Sequence, residues 1–164
     1  MIGDRRAVAV GNEVIFVQAN VFNEFLDKLI PLKLGQEWYA GEAAKPAGEQ
    51  HPIIAWREVV KTHLESLPRN ELGYAEGKAI GAAAAYFGLA YSFYLIQHNA
   101  KLLDRMLKRL RLPEQFQGAY FELVMISCLF RAGFKIELVD ETGRGLVRSS
   151  CTPPAPTGGA FPSK

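Results

Sequence analysis

The sequence predicts a mainly α-helical chain with a short N-terminal β segment and one C-terminal strand, the strand belonging to an incomplete α/β core. Three observations predict it. Apolar residues recur at helical spacing through most of residues 21–132. β-branched residues cluster in AVAVGNEVIFVQ (7–18). A two-residue alternation appears in FKIELVD (134–140), directly after a glycine that ends a helical pattern.

Bulk properties bound the class and little else. A chain of 164 residues is one domain's worth. Apolar residues at 49% and charged residues at 22% exclude a wholly disordered or collagen-like chain. A net charge of +2 is too small to argue for nucleic acid or membrane by itself. Cys128 and Cys151 lie far apart in dissimilar contexts, which makes neither a disulfide framework nor a metal knuckle. MIGDRRAVAVGN (1–12) has no apolar h-region and no small-residue cleavage site, so the expected compartment is the cytoplasm.

The N-terminal β segment is expected as two short strands around Gly11-Asn12, or a frayed lead-in. Val21, Phe22, Phe25, Leu26, Leu29 and Ile30 then line one helical face, with Asn20 as N-cap and Pro31 with Gly35 ending the run. Residues 35–52 are rich in Gly, Pro and charge and are expected mainly as loop. Pro52 opens a helix carrying Ile53, Trp56, Val59, Val60, His63 and Leu64 on one face. Residues 76–111 are expected as one long helix or two abutting ones. Their middle, residues 79–96, is eighteen residues without a charge, at the edge of what spans a bilayer. Tyr86, Tyr91 and Tyr94 fall within and late in the run and not at its two ends, so a helix buried in a soluble core is preferred and a membrane association is the third reading.

Beyond Gln97 the pattern turns amphipathic. Lys101, Arg105 and Lys108 share one face, with Arg109 and Arg111 beside them, and Leu102, Leu103, Met106, Leu107 and Leu110 form the other. The functional expectation for 101–111 is a nucleic-acid-binding stripe; the plain alternative is a solvated outer face. Residues 113–132 make the clearest helix, with Pro113 at the first turn and Gly133 at the C′ position. It is apolar on a broad front, as for a helix covering a sheet, and Cys128 is expected as a small core residue. Residues 143–164 hold Pro and Gly without periodicity and are expected as a disordered tail. The expected units are therefore 1–111, mostly helical; 112–142, a helix and strand; and 143–164, the tail.

Most catalytic signatures are absent: there is no Gly-rich phosphate loop, H-E-x-x-H, C-x-x-C or G-x-S-x-G. His51, His63 and His98 are not at ligand spacing and are expected as surface or packing histidines. Glu122, among Phe121, Leu123 and Val124, must find a partner, a metal or solvent.

The phrases Arg109-Leu110-Arg111, Phe116-Gln117-Gly118, Phe121-Glu122-Leu123, Arg131-Ala132-Gly133-Phe134 and Asp140-Glu141 resemble a block found in an uncharacterised bacterial protein family. Upstream, Tyr91-x-x-Tyr94-Leu95 and Asn99 fit as well, so the resemblance covers about residues 20–142. That block in turn resembles the first helix and strand of the restriction-endonuclease-like, PD-(D/E)xK fold. The resemblance implies that Glu122 is the catalytic helix carboxylate, helping to hold Mg²⁺ or its water during phosphodiester hydrolysis. The acidic strand residue and Glu-x-Lys that complete such a site are missing after Glu141, so no cofactor is expected unless the site were complete. The expected function is a catalytically incomplete fragment of a nuclease-like protein, truncated or frameshifted after about residue 143. In another frame, codons for residues 157–163 permit a basic turn and a strand-like run ending in Glu; the nucleotide sequence decides that. A sheet so shortened is expected to self-associate through the 134–140 strand edge. The alternative function is a helical interaction or nucleic-acid-binding module using the 101–111 stripe.

Overall fold

The computed structural model describes the backbone of residues 6–10, 13–17, 19, 21–139 and 148–152, with side chains for residues 19, 21–134 and 136. Between Val21 and Phe134 every regular element is a helix. In chain order these are α1 (Phe22–Leu34), α2 (Gln36–Ala43), α3 (Pro52–Ser66), α4 (Gly81–Ile96), α5 (Ala100–Leu110) and α6 (Pro113–Arg131). Two local antiparallel hairpins flank them. β1 (Arg6–Val10) pairs with β2 (Glu13–Val17), Arg6 opposite Val17. β3 (Lys135–Val139) pairs with β4 (Arg148–Thr152), Lys135 opposite Thr152.

The incomplete α/β restriction-endonuclease-like core is not formed among the described residues. A helix in such a core covers a sheet, whereas α6 packs chiefly on α4 and α5. Among the described residues β3 joins no larger sheet; its hydrogen-bonded neighbour is β4, from the segment whose composition predicts no regular structure. Helix-on-helix packing wins because α4 offers apolar surface all round. Ala83, Tyr86, Leu89, Ala90, Phe93 and Ile96 are buried, and the helix packs on α1, α3 and α6 at once. Its charge-free run is thereby explained as the bundle's centre. Among the described residues no helix is long and apolar enough to cross a membrane.

Local chemistry sets most boundaries. Pro52 and Pro113 stand in the first turns of α3 and α6, where a missing N–H costs nothing. Asn99 caps α5, its side chain accepting from the Leu102 amide at 3.2 Å, and so breaks residues 76–111 into two helices. Gly133, at φ 85°, ends α6. The Phe134 amide donates to the Leu129 carbonyl at 3.1 Å and the Gly133 amide to Phe130 at 3.0 Å, which is a Schellman close.

Other expectations are corrected. Pro31 lies inside α1, which continues to Leu34 before Gly35 at φ 92°. The apolar face of α1, with Phe25, Leu26, Leu29, Ile30 and Leu34 buried, outweighs the one hydrogen bond that proline removes. The N-cap of α1 is Val21, without a side-chain bond, and Asn20 lies outside the described residues. Residues 36–43, expected as loop, form α2, which buries no residue fully and rests Trp38 and Tyr39 against the core. Cys128 is exposed and not part of the core.

Candidate functional site

On α5 the two predicted faces separate as the spacing requires. Leu102, Leu103, Met106, Leu107 and Leu110 are buried, each worth about 1.5–3 kcal/mol over exposure. Lys101 and Lys108 are exposed and Arg105 is half-exposed on the opposite side. Lys108 pairs with Asp104 one turn back at 2.8 Å. Both side chains are well solvated, and such a pair contributes under about 1 kcal/mol, so an incoming phosphate can replace the carboxylate. Among the described residues Lys101 and Arg105 enter no ion pair. Arg109 is committed elsewhere, and Arg111 folds back beside Gly35 at the junction of α1 and α2.

Glu122 is the partner of Arg109. The guanidinium Nη1 donates to the Glu122 carboxylate across the α5–α6 contact, and both side chains are about 30% exposed (29% and 31%). The pair answers how a carboxylate persists in so apolar a stretch. It also bears on the Mg²⁺ that the nuclease resemblance implies. A ligating carboxylate needs companions, and among the described residues no three of His, Cys, Asp or Glu are grouped to hold a metal ion. The described residues do not fit that cation. Asp140 and Glu141 lie outside them.

A second constellation went unseen in the sequence. Tyr86, fully buried on α4, donates its hydroxyl to Asp27 Oδ1 on α1 at 2.7 Å. Arg57 on α3 grips the same carboxylate with two donors, Nε to Oδ1 at 3.1 Å and Nη2 to Oδ2 at 3.3 Å. Three helices are thus tied through one carboxylate. Burial, then the Asp27 charge, pushes the Tyr86 phenol well above its usual range. The bond to Asp27 holds the Arg57 proton more firmly than usual, against the cost of burial. Tyr39 joins the group from α2, and burial raises its hydroxyl too, with Tyr86 acting in the opposite sense. The residues lie 30 and 59 positions apart in the chain, so no spacing rule finds them.

Of this group Asp27 and Arg57 line a half-open cleft of about 550 Å³ between α1, α3 and the 68–76 turn, together with Lys61, Glu65, Arg69 and Tyr74. Asn70 shapes the turn by accepting from the Leu72 and Tyr74 amides at 3.1 and 3.0 Å. Within the cleft Arg57 and Asp27 neutralise each other. The pair, with Tyr86, braces α1, α3 and α4.

The histidines take packing roles. His51 caps α3, its Nδ1 accepting from the Ile53 amide at 3.3 Å, and sits edge-on between Trp38 and Phe116. Burial lowers its pKa, with Glu42 and the Leu110 backbone opposing and Lys45 adding. His63 Nε2 lies 3.0 Å from the Lys78 carbonyl, and His98 rests on Phe130. Comparison with protein-family models, with curated proteins and with solved structures returns no match for this chain.

Proposed function

We propose that this chain is a helical binding module that holds polyanions, nucleic acid first, on the outward face of α5. One observation carries the reading: Lys101, Arg105 and Lys108 project from one side of a helix whose other side is locked into the core, with Asp104 the lone acid among them. A rigid row of cations matches a phosphate backbone without needing to reorganise. It reads charge and not base sequence, because no aromatic or amide side chain stands in that row.

Fluorescence anisotropy of labelled single-stranded DNA, duplex DNA and RNA tests this. At 50 mM salt all three bind, and replacing Lys101, Arg105 and Lys108 together by Ala abolishes binding while the circular dichroism spectrum is kept. No binding at 50 mM salt, or binding indifferent to the triple substitution, refutes the proposal.

A further inference from the structure

α6 carries a second seam that the bundle does not use. Glu114, Gly118, Phe121, Met125, Cys128 and Ala132 follow one another at spacings of four, three, four, three and four. That is the period of a helix packed along another helix. All six are exposed, Phe121 at 69% and Met125 at 51%. The buried side of α6, with Phe116, Ala119, Leu123 and Ile126, is a separate stripe that faces the bundle. The broad apolarity that suggests a helix under a sheet is thus two stripes, one of them open.

We propose that a second copy of this chain covers this seam, α6 packing antiparallel on α6 about a twofold axis near Leu123. The seam is complementary to itself in that register. Phe121 meets Met125 of the other copy, an aromatic ring against a thioether. Gly118 meets Cys128, two small residues that let the helices close up towards the ends. Glu114 falls beside Ala132 and so next to the oppositely charged Arg131, both exposed. A parallel arrangement would instead stack Glu114 on Glu114 and Phe121 on Phe121. A helix of nineteen residues offers a seam of about 28 Å, at the small end for a specific interface, so a dimer in micromolar exchange with monomer is expected. The inference is independent of what α5 binds.

Light scattering coupled to size exclusion, with thiol cross-linking, tests it. The dimer fraction rises with loading between 5 and 200 μM, and Phe121→Asp leaves monomer throughout. Phe121 is exposed, so that variant keeps its thermal unfolding midpoint within a few degrees. In a Cys151→Ser background, mild oxidation cross-links Gly118→Cys to Cys128 of the other copy. A Cβ at position 118 meets nothing closer than an Arg109 nitrogen at 3.9 Å. Cys128 alone does not cross-link, because the axis places the two copies of it about 15 Å apart. Monomer at 200 μM, a dimer that survives Phe121→Asp (as one through the 134–140 strand edge would), or efficient Cys128–Cys128 cross-linking overturns the proposal.

Discussion

Replacing Tyr86 by Phe removes one oxygen and tests whether Asp27 ties three helices together. The lost bond runs to a charged acceptor, a class worth about 1.5–3 kcal/mol. Asp27 is 36% exposed, so water can take the vacated site and the lower figure applies, about 1.5 kcal/mol. Asp27→Ala does more. It removes an ion pair whose two side chains are each 36% exposed, worth at most about 1 kcal/mol after solvent screening. It also strands the Tyr86 hydroxyl, which is fully buried, at a cost of about 1–3 kcal/mol. The sum is about 1–4 kcal/mol. Because both variants break the same bond, their effects do not add, and Tyr86→Phe becomes stabilising once Ala stands at 27, since it removes the stranded hydroxyl. Urea unfolding of the four proteins at pH 7 closes the cycle; with a slope near 2 kcal/mol/M, Tyr86→Phe lowers the midpoint by about 0.7 M. A Tyr86→Phe effect below about 0.5 kcal/mol, or equal in both backgrounds, refutes the reasoning.

Further outcomes follow from the same geometry. Glu122→Gln costs about 1 kcal/mol in urea unfolding, the scale of a partly buried ion pair losing its charge, and added Mg²⁺ leaves the wild-type unfolding temperature unchanged; an Mg²⁺-induced rise that Glu122→Gln abolishes would contradict the Arg109 assignment. Gly35→Ala destabilises by about 1 kcal/mol, because φ 92° is strained for any side chain while the nearest atom, an Arg111 nitrogen at 3.5 Å, leaves room for the methyl; a neutral result would show that the backbone relaxes there. Stability responds to pH at both ends. His51 has a lowered folded pKa, so the unfolded chain takes up its proton first, and stability falls as pH drops below about 6.5. Tyr86, Tyr39 and Tyr120 have raised folded values, so the unfolded chain loses its protons first, and stability falls as pH rises above about 10. Urea midpoints between pH 5 and 11 check both limbs. His51→Gln flattens the acid limb, and an acid limb untouched by that change would point to other groups.

What the sequence makes legible here is what chemistry within a few residues decides. Pro52, Pro113, Asn99 and Gly133 each act on backbone groups within one turn, and the two faces of α5 are a matter of spacing alone. α2 escapes because eight residues with no buried side chain carry no periodic signal, and Gly41 and Pro46 argue for loop. Pro31 misleads because its cost is local while the packing that overrides it is tertiary. Glu122 stands out correctly as needing a partner, but Arg109 is supplied by the neighbouring helix. Asp27, Arg57 and Tyr86 give no warning, since each is unremarkable in its own helix and their meaning arises where α1, α3 and α4 converge. The apolar breadth of α6 points to a sheet because sequence counts apolar faces without saying what lies against them; one face meets α4 and α5, and the other is open.

The salt dependence of DNA binding puts the α5 reading to the sharpest test. Three cations on a duplex give a slope of log affinity against log salt of about −2.7, and Arg105→Ala moves it to about −1.8, since each phosphate neutralised contributes about −0.9. A slope near zero, or one that Arg105→Ala leaves in place, would show that the outward face of α5 is not where phosphates are held.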